Sequence, residues 1–148
     1  MNVTSNFSVE PELFEKYLNY VKRLCTNEPK YIEHFMQYVS LDSTFAQAEY
    51  ARHGLNFERL WENVNRFLNE VPTRSSLTFI ITMNTLNVTG LIDLISAIKG
   101  LRQIYSKTYQ RVWFDTPLLR SPSWQSLQIL PPVYADYLEQ VANWMELH

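Results

Sequence analysis

Polar side chains able to hold a small ligand follow four apolar, β-compatible segments of the sequence. These segments end near Asn6, Ser40, Thr82 and Asp115, and Asp42 lies two residues after Ser40. Their amides, hydroxyls and carboxylates suit hydrogen bonds to a polar ligand such as a nucleoside or an amino acid. In parallel α/β sheets, the loops at the carboxyl ends of the strands carry the binding residues. We therefore expect these side chains at one rim of a sheet.

Three charged residues near this rim each have two interpretations. Asp42 and Asp115 are a candidate carboxylate pair, but Asp-Ser-Thr and Asp-Thr-Pro are also ordinary strand-exit turns. The planar guanidinium of Arg52 suits a ligand carboxylate, although a loop arginine also pairs with a neighbouring acid, such as Glu49. The sequence leaves these alternatives open.

The sequence pattern disfavours a hydrolase and a metal site made by this chain alone. It contains no nucleophile with a matched base, no HExxH motif and no cysteine cluster. His34 and His53 are isolated histidines, for which a structural or surface role is the more common one. The single cysteine, Cys25, lies at helical spacing beside Leu24 and Val21, which indicates a small core residue.

Composition is typical of an ordered globular protein from a reducing compartment. The 148 residues suit one domain, and 46% of them are hydrophobic. The net charge is −2 and the basic residues are scattered, so no surface for a nucleic acid is indicated. No leader pattern opens the sequence, and no apolar run approaches the roughly 20 residues of a membrane span. We expect a cytoplasmic protein that binds neither nucleic acid nor membrane.

The elements that would position the rim residues alternate between strand and helix four times. Alternating or continuous β-branched and aromatic residues predict strands within 2–9, 32–41, 77–82 and 111–114. Apolar residues at helical spacing predict helices within 11–27, 57–68, 88–105 and 134–145. Asn56 is the expected N-cap of the second helix, and Pro72 is expected to stop it.

Four strand-helix units predict an α/β fold whose mostly parallel sheet forms part of a TIM-like barrel. Residues 1–117 would form the partial barrel, and a C-terminal loop and helix, residues 118–148, would cover it. Four units leave two sheet edges unpaired, so a covering loop, a partner chain or upstream strands are expected to protect them. A homodimer that pairs the two edges is one such arrangement.

Three runs of the sequence resemble radical S-adenosylmethionine (SAM) enzymes of a phage and bacterial group described as carrying a twitch domain. The first run, residues 39–67, contains S-L-D, then A-E-Y-A-R-H-G, then a predicted helix. The others are LTFIITMNTL at 77–86 and WFDTPLLRSPSWQSLQILP at 113–131, of which the last is the most specific. The resemblance spans nearly the whole chain. It implies a partial barrel that binds SAM and a four-iron four-sulfur cluster.

The resemblance also implies a role for each matching residue at the rim. The Asn6 region and Ser40 would face the ribose and methionine parts of SAM, and Arg52 would approach the SAM carboxylate. Thr82 and Asp115, or their neighbours, would lie around the adenine.

Three further residues are placed by the resemblance outside the SAM site. Asp42, Arg120 and Trp124 would lie near the substrate or in the C-terminal segment that covers the barrel. The substrate itself cannot be read from the sequence, because one scaffold of this kind hosts many reactions.

The cluster-binding segment of this family has no counterpart in the sequence. Family members hold the cluster with three cysteines of a C-x-x-x-C-x-x-C loop and contact SAM through a glycine-rich second-strand motif. The sequence matches from the third strand of the family onward. SAM cleavage to a 5′-deoxyadenosyl radical would therefore need a missing N-terminal segment or a separate subunit that supplies the cluster. The alternative is a non-catalytic half-barrel with a binding or structural role.

Overall fold

The structure is a computed structural model that describes residues 1–26, 32–71 and 74–147. The described residues form four strands and five helices, with two helices between the second and third strands. The strands are β1 (Asn2–Ser5), β2 (Phe35–Ser40), β3 (Ser75–Ile80) and β4 (Val112–Asp115). The helices are α1 (Pro11–Thr26), α2 (Phe45–Ala51), α3 (Phe57–Glu70), α4 (Leu91–Tyr105) and α5 (Ala135–Leu147).

The strands form one parallel sheet in their order along the chain, β1-β2-β3-β4. Val3, Gln37, Leu77 and Val112 stand opposite one another across the four strands. The predicted α/β fold with a parallel sheet is therefore confirmed. Consecutive parallel neighbours are compatible with part of a barrel.

The hydrophobic core packs helices α1, α3 and α4 against one face of the sheet. Val39, Leu77 and Phe79 are fully buried on this face. Phe7, just after β1, inserts its ring 5.2 Å from Phe14 and 5.9 Å from Phe67, which joins α1 to α3. Phe7 adopts a positive φ of 59°, so burial of its ring holds the β1 exit in an unusual backbone conformation.

The other face of the sheet, called here the open face, is only partly covered by the described residues. Its middle row is Thr4, Tyr38, Thr78 and Trp113, in register across the strands. Trp113 is 47% exposed. Parallel sheets are normally buried on both faces, so a partly covered face is unusual for this kind of sheet.

Most predicted elements are confirmed, with ends that shift by a few residues. The predicted N-cap forms, since Oδ1 of Asn56 accepts a 2.8 Å hydrogen bond from the Arg59 amide. β3 begins two residues earlier than predicted, at Ser75. Pro72 lies outside the described residues. None of the helices described is long and apolar enough to cross a bilayer.

Helix α2 is missing from the sequence prediction. Its seven residues are too few to show a helical period, and the N-cap Thr44 makes no side-chain capping bond. Tertiary contacts stabilise it instead: the Gln47 side-chain amide donates to the Leu86 carbonyl at 2.7 Å, and its Oε1 accepts from the Ser43 hydroxyl at 2.7 Å. This short helix places Arg52 over the sheet.

Candidate functional site

Asp42, Arg52 and Thr82 form one hydrogen-bonded cluster at the carboxyl ends of β2 and β3. Oδ2 of Asp42 accepts from Arg52 Nε at 2.7 Å, and Oδ1 accepts from Arg52 Nη2 at 3.2 Å and from the Thr82 amide at 2.8 Å. Asp42 is 4% exposed. The acid that pairs with Arg52 is therefore Asp42, while Glu49 accepts from the Phe57 amide and caps α3.

The backbone of the β3 exit is held in place by two asparagines. The Thr82 carbonyl accepts from Asn84 Nδ2 at 2.8 Å and from Asn87 Nδ2 at 2.9 Å. Oδ1 of Asn87 in turn accepts from the Asn84 amide. Both asparagines are buried. The loop is thus rigid and presents Thr82 in one conformation.

Ser40 and Asp115 lie on the open face in its last row, with Ile80 between them. Strands are about 4.8 Å apart, so the two side chains stand roughly 10 Å apart across the sheet. Asp115 is exposed, and its Oδ1 accepts from the Thr116 amide. Asp42 bonds to Arg52 and to the Thr82 amide, whereas Asp115 bonds to the Thr116 amide, so the two carboxylates have different partners.

Tyr38 and Trp113 are open-face residues that the sequence interpretation does not select. They lie in the row next to Ser40 and Asp115 and flank Thr78. The signal was their position, two residues before a selected rim residue on the same strand. Side chains two apart on a strand share a face.

Asn6 is exposed at the β1 exit, where its Oδ1 accepts from the Ser8 amide at 3.2 Å. Its neighbour Phe7 anchors this loop in the core. The structure thus places Asn6 at the same end of the sheet as Ser40, on the neighbouring strand.

Arg120 and Trp124 lie in the C-terminal segment, and in the described part of the chain neither is hydrogen-bonded to Asp42, Arg52 or Thr82. Arg120 lines a cavity of about 430 Å³ together with Leu118 and Ser126. Trp124 is 66% exposed. Pairing of Leu118 with Met83 ties the segment to the β3 exit loop.

Comparisons with known proteins were made for the whole chain. No family model, curated protein or solved structure matches it.

An iron-sulfur cluster does not fit the residues described. Cys25 is 2% exposed inside α1, and burial raises the pKa of its thiol, against the smaller opposite effect of Arg74 and Arg111. No group of three or more His, Cys, Asp or Glu that could hold a metal occurs among the described residues. A protonated, buried thiol is a poor ligand.

We expect Cys25 to resist labelling by Ellman's reagent at pH 8 in the native protein and to react fully in urea. The raised pKa leaves the thiol protonated, and burial blocks access. Absorbance at 412 nm follows the reaction. Rapid labelling of the native protein would contradict the buried position, and a Cys25→Ser variant gives the background rate.

The open face offers several side chains that are able to bind a polar ligand. The face offers hydroxyls, an exposed carboxylate at Asp115 and the aromatic rings of Tyr38 and Trp113. The Arg52 side chain is 30% exposed, and it donates to Asp42 through Nε and Nη2, with no hydrogen bond from Nη1 to any described residue. Hydroxyl and carboxylate groups bind polar ligands by hydrogen bonds, aromatic rings stack on flat groups, and a guanidinium binds anions.

Proposed function

We propose that this chain is the C-terminal part of a radical SAM-type barrel, and that its open face binds SAM. The cluster, which the described residues do not fit, comes from an upstream segment or a separate subunit. The observation that carries the proposal is the open face itself: a partly covered parallel-sheet surface with a polar and aromatic lining toward the carboxyl ends of its strands.

Two neighbouring rows of the open face, Ser40 with Asp115 and Tyr38 with Trp113, bind different parts of SAM. The Asp115 carboxylate accepts hydrogen bonds from the ribose hydroxyls. Ser40, which lies in the same row on β2, contributes a hydroxyl. Trp113 and Tyr38 provide rings on which adenine stacks, an interaction worth about 1–3 kcal/mol per base.

Arg52 binds the SAM carboxylate through Nη1 while Asp42 holds the rest of its guanidinium. The two hydrogen bonds fix the orientation of Arg52, and the Asp42 carboxylate offsets its positive charge. Arg52 therefore mainly orients the SAM carboxylate. Most of the affinity for SAM comes from Asp115 and from the rings of Trp113 and Tyr38.

SAM binding is expected to weaken roughly tenfold in Asp115→Asn and in Trp113→Ala, because each loses a charged hydrogen bond or a stacking surface. Equilibrium dialysis with radiolabelled SAM measures the dissociation constant, alone and with the upstream-encoded product. Asp136→Asn, an exposed acid of α5, and Tyr20→Ala, an exposed ring of α1, are the matched controls. Equal losses in the controls, or no binding at 1 mM under either condition, would refute the proposal.

Cluster assembly is tested by anaerobic iron-sulfur reconstitution of this chain, with and without the product encoded immediately upstream. A visible cluster spectrum, and release of 5′-deoxyadenosine from SAM after a chemical reductant supplies the electron, would support a split enzyme if both occur only in the combined sample. A cluster on this chain alone would contradict the position of Cys25.

A second candidate function is a non-catalytic binding half-barrel that forms a homodimer. It is favoured by the two edge strands, β1 and β4, on a single four-stranded parallel sheet. Pairing β4 of each copy with β1 of the other would give eight parallel strands, the number that closes a TIM barrel. Light scattering with size-exclusion chromatography separates the two candidates: a stable dimer without an upstream partner supports this one.

A further inference from the structure

A cleft lined by aromatic rings opens between α3 and α4, on the helix side of the sheet. Its volume is about 430 Å³, within the range of small-ligand sites. The cleft is lined by Thr44, Phe45, Phe57, Glu58, Trp61, Asp93 and Ala97. It is separated from the open face by the sheet and belongs to no part of the proposed SAM site.

Three rings form a continuous wall of this cleft. Phe45 lies 4.7 Å from Phe57, and Phe57 stacks on Trp61 at 5.7 Å between ring centroids. Below them Trp61 stacks on Phe79 of β3 at 6.0 Å. The lower rings are anchored in the core, whereas Phe45 is 66% exposed. Phe57 is only 4% exposed and Trp61 is partly buried, so packing fixes these two rings and Phe45 presents most of the aromatic surface to solvent.

Phe45 stands at the mouth of the cleft in an unfavourable backbone conformation. Its φ is 45°, a region that bulky residues seldom occupy. An exposed phenylalanine held in this conformation gains little from burial in the free protein. Its ring is, however, correctly placed to cover one side of a bound group.

Two carboxylates flank the aromatic wall. Glu58 lies in the first turn of α3 and Asp93 in the first turn of α4, and both are exposed. Neither has an ion-pair partner among the described residues. Each also stabilises its own helix start, which carries roughly half a positive charge. Each carboxylate carries a full negative charge, so the cleft stays net negative after the helix starts are offset.

Aromatic faces and a net negative charge together select an organic cation. An ammonium group is attracted both by ring quadrupoles and by carboxylates, and alkyl groups on its nitrogen lower the cost of leaving water. A neutral apolar ligand would gain nothing from Glu58 and Asp93. An anion would be repelled by them.

We propose that this cleft binds an alkylated ammonium group, with Phe45, Phe57 and Trp61 as its aromatic wall and Glu58 and Asp93 as its counter-charges. The group belongs either to a free small molecule or to a methylated lysine side chain, since the chemistry is shared.

Titration of the full chain with choline chloride, against sodium chloride at equal ionic strength, tests the proposal. The readout is the indole N–H resonance of Trp61 in ¹H–¹⁵N spectra, assigned with Trp61→Phe. The resonances of Trp113 and Trp124 serve as internal references. A saturable shift confined to Trp61 is expected. The neutral isostere of choline, 3,3-dimethyl-1-butanol, should produce no comparable shift.

Glu58→Gln and Asp93→Asn are each expected to raise the dissociation constant for choline about two- to fivefold, as is Phe45→Ala. Glu62→Gln removes an exposed acid from the same helix outside the cleft and should leave binding unchanged. Thermal unfolding of every variant checks that the fold is kept.

Equal shifts with choline and dimethylbutanol, no saturable shift at 50 mM choline, or an equal loss in Glu62→Gln would each overturn the proposal. Titration with a peptide that carries one trimethyllysine tells the two sources apart. Binding at least tenfold tighter than that of choline assigns the cleft to a protein side chain, and binding no tighter assigns it to a small molecule.

Discussion

Arg111→Met is expected to lower the free energy of unfolding by about 3 kcal/mol, which corresponds to roughly 10 °C in the melting temperature of a chain of this size. Arg111 precedes β4 and is 9% exposed. Its Nη1 donates to the Leu68 carbonyl at 3.0 Å, and its Nη2 donates to the Val71 carbonyl and the Ser75 hydroxyl at 2.9 Å. Its Nε donates to the Ser75 carbonyl at 3.1 Å.

The size of this effect follows from which groups Arg111 satisfies. Leu68 and Val71 lie at the end of α3, where carbonyls have no partner within the helix. The guanidinium supplies donors to these carbonyls and lies favourably at the negative end of the helix. Methionine fills part of the volume but donates nothing, so buried acceptors are left unpaired at about 1–3 kcal/mol each.

Urea unfolding followed by circular dichroism measures the change. Arg23→Met, an exposed arginine of α1, is the control and should change stability by less than about 0.5 kcal/mol. Arg111→Lys is expected to lose about half as much as Arg111→Met, because one ammonium cannot reach all the acceptors. If Arg111→Met lowers the free energy of unfolding by less than about 1 kcal/mol, water replaces the guanidinium as the donor to these carbonyls.

Asp42→Ala is expected to lower the free energy of unfolding by about 2–3 kcal/mol. The substitution removes the acceptor of the Thr82 amide and leaves the Arg52 guanidinium without its counter-charge. Fully buried pairs lose more, about 3–5 kcal/mol, when one partner is removed. The Arg52 side chain is 30% exposed, so solvent screens part of the effect.

A double-mutant cycle with Arg52→Ala isolates the ion pair from the Thr82 bond, with a coupling energy of about 1 kcal/mol expected. The matched control is Glu12→Ala, which removes an ion pair with Lys16 whose side chains are 86% and 71% exposed, respectively. The control should lose less than about 0.5 kcal/mol. A loss in Asp42→Ala no larger than in the control would show that the cluster does not organise the rim.

The Arg111 cluster and the Asp42 cluster hold together opposite ends of the sheet. Arg111 joins the end of α3 to the start of β3, while Asp42 joins the exits of β2 and β3. A ligand bound on the open face would therefore meet preorganised strand ends, which lowers the entropy lost on binding.

Local pattern was enough to locate the strands and most helices. Leu77 and Phe79 lie in a run of β-branched and aromatic residues that is stable only when buried, and the α4 run from Leu91 to Leu101 repeats at helical spacing. Such signals depend on neighbours within a few residues, so the sequence contains them directly. Helix α2 lacked this signal because contacts with a distant loop stabilise it.

The sequence by itself determined the α/β alternation, the parallel sheet and the set of polar residues at the strand ends. Only the tertiary structure decided that Arg52 pairs with Asp42 and not with Glu49, because α2 turns Arg52 back over β2 while Glu49 caps α3. It also decided that Trp61 lines a cleft that brings Glu58 and Asp93 together across two helices. Partners this far apart in sequence are selected by packing of whole elements, which no local pattern records.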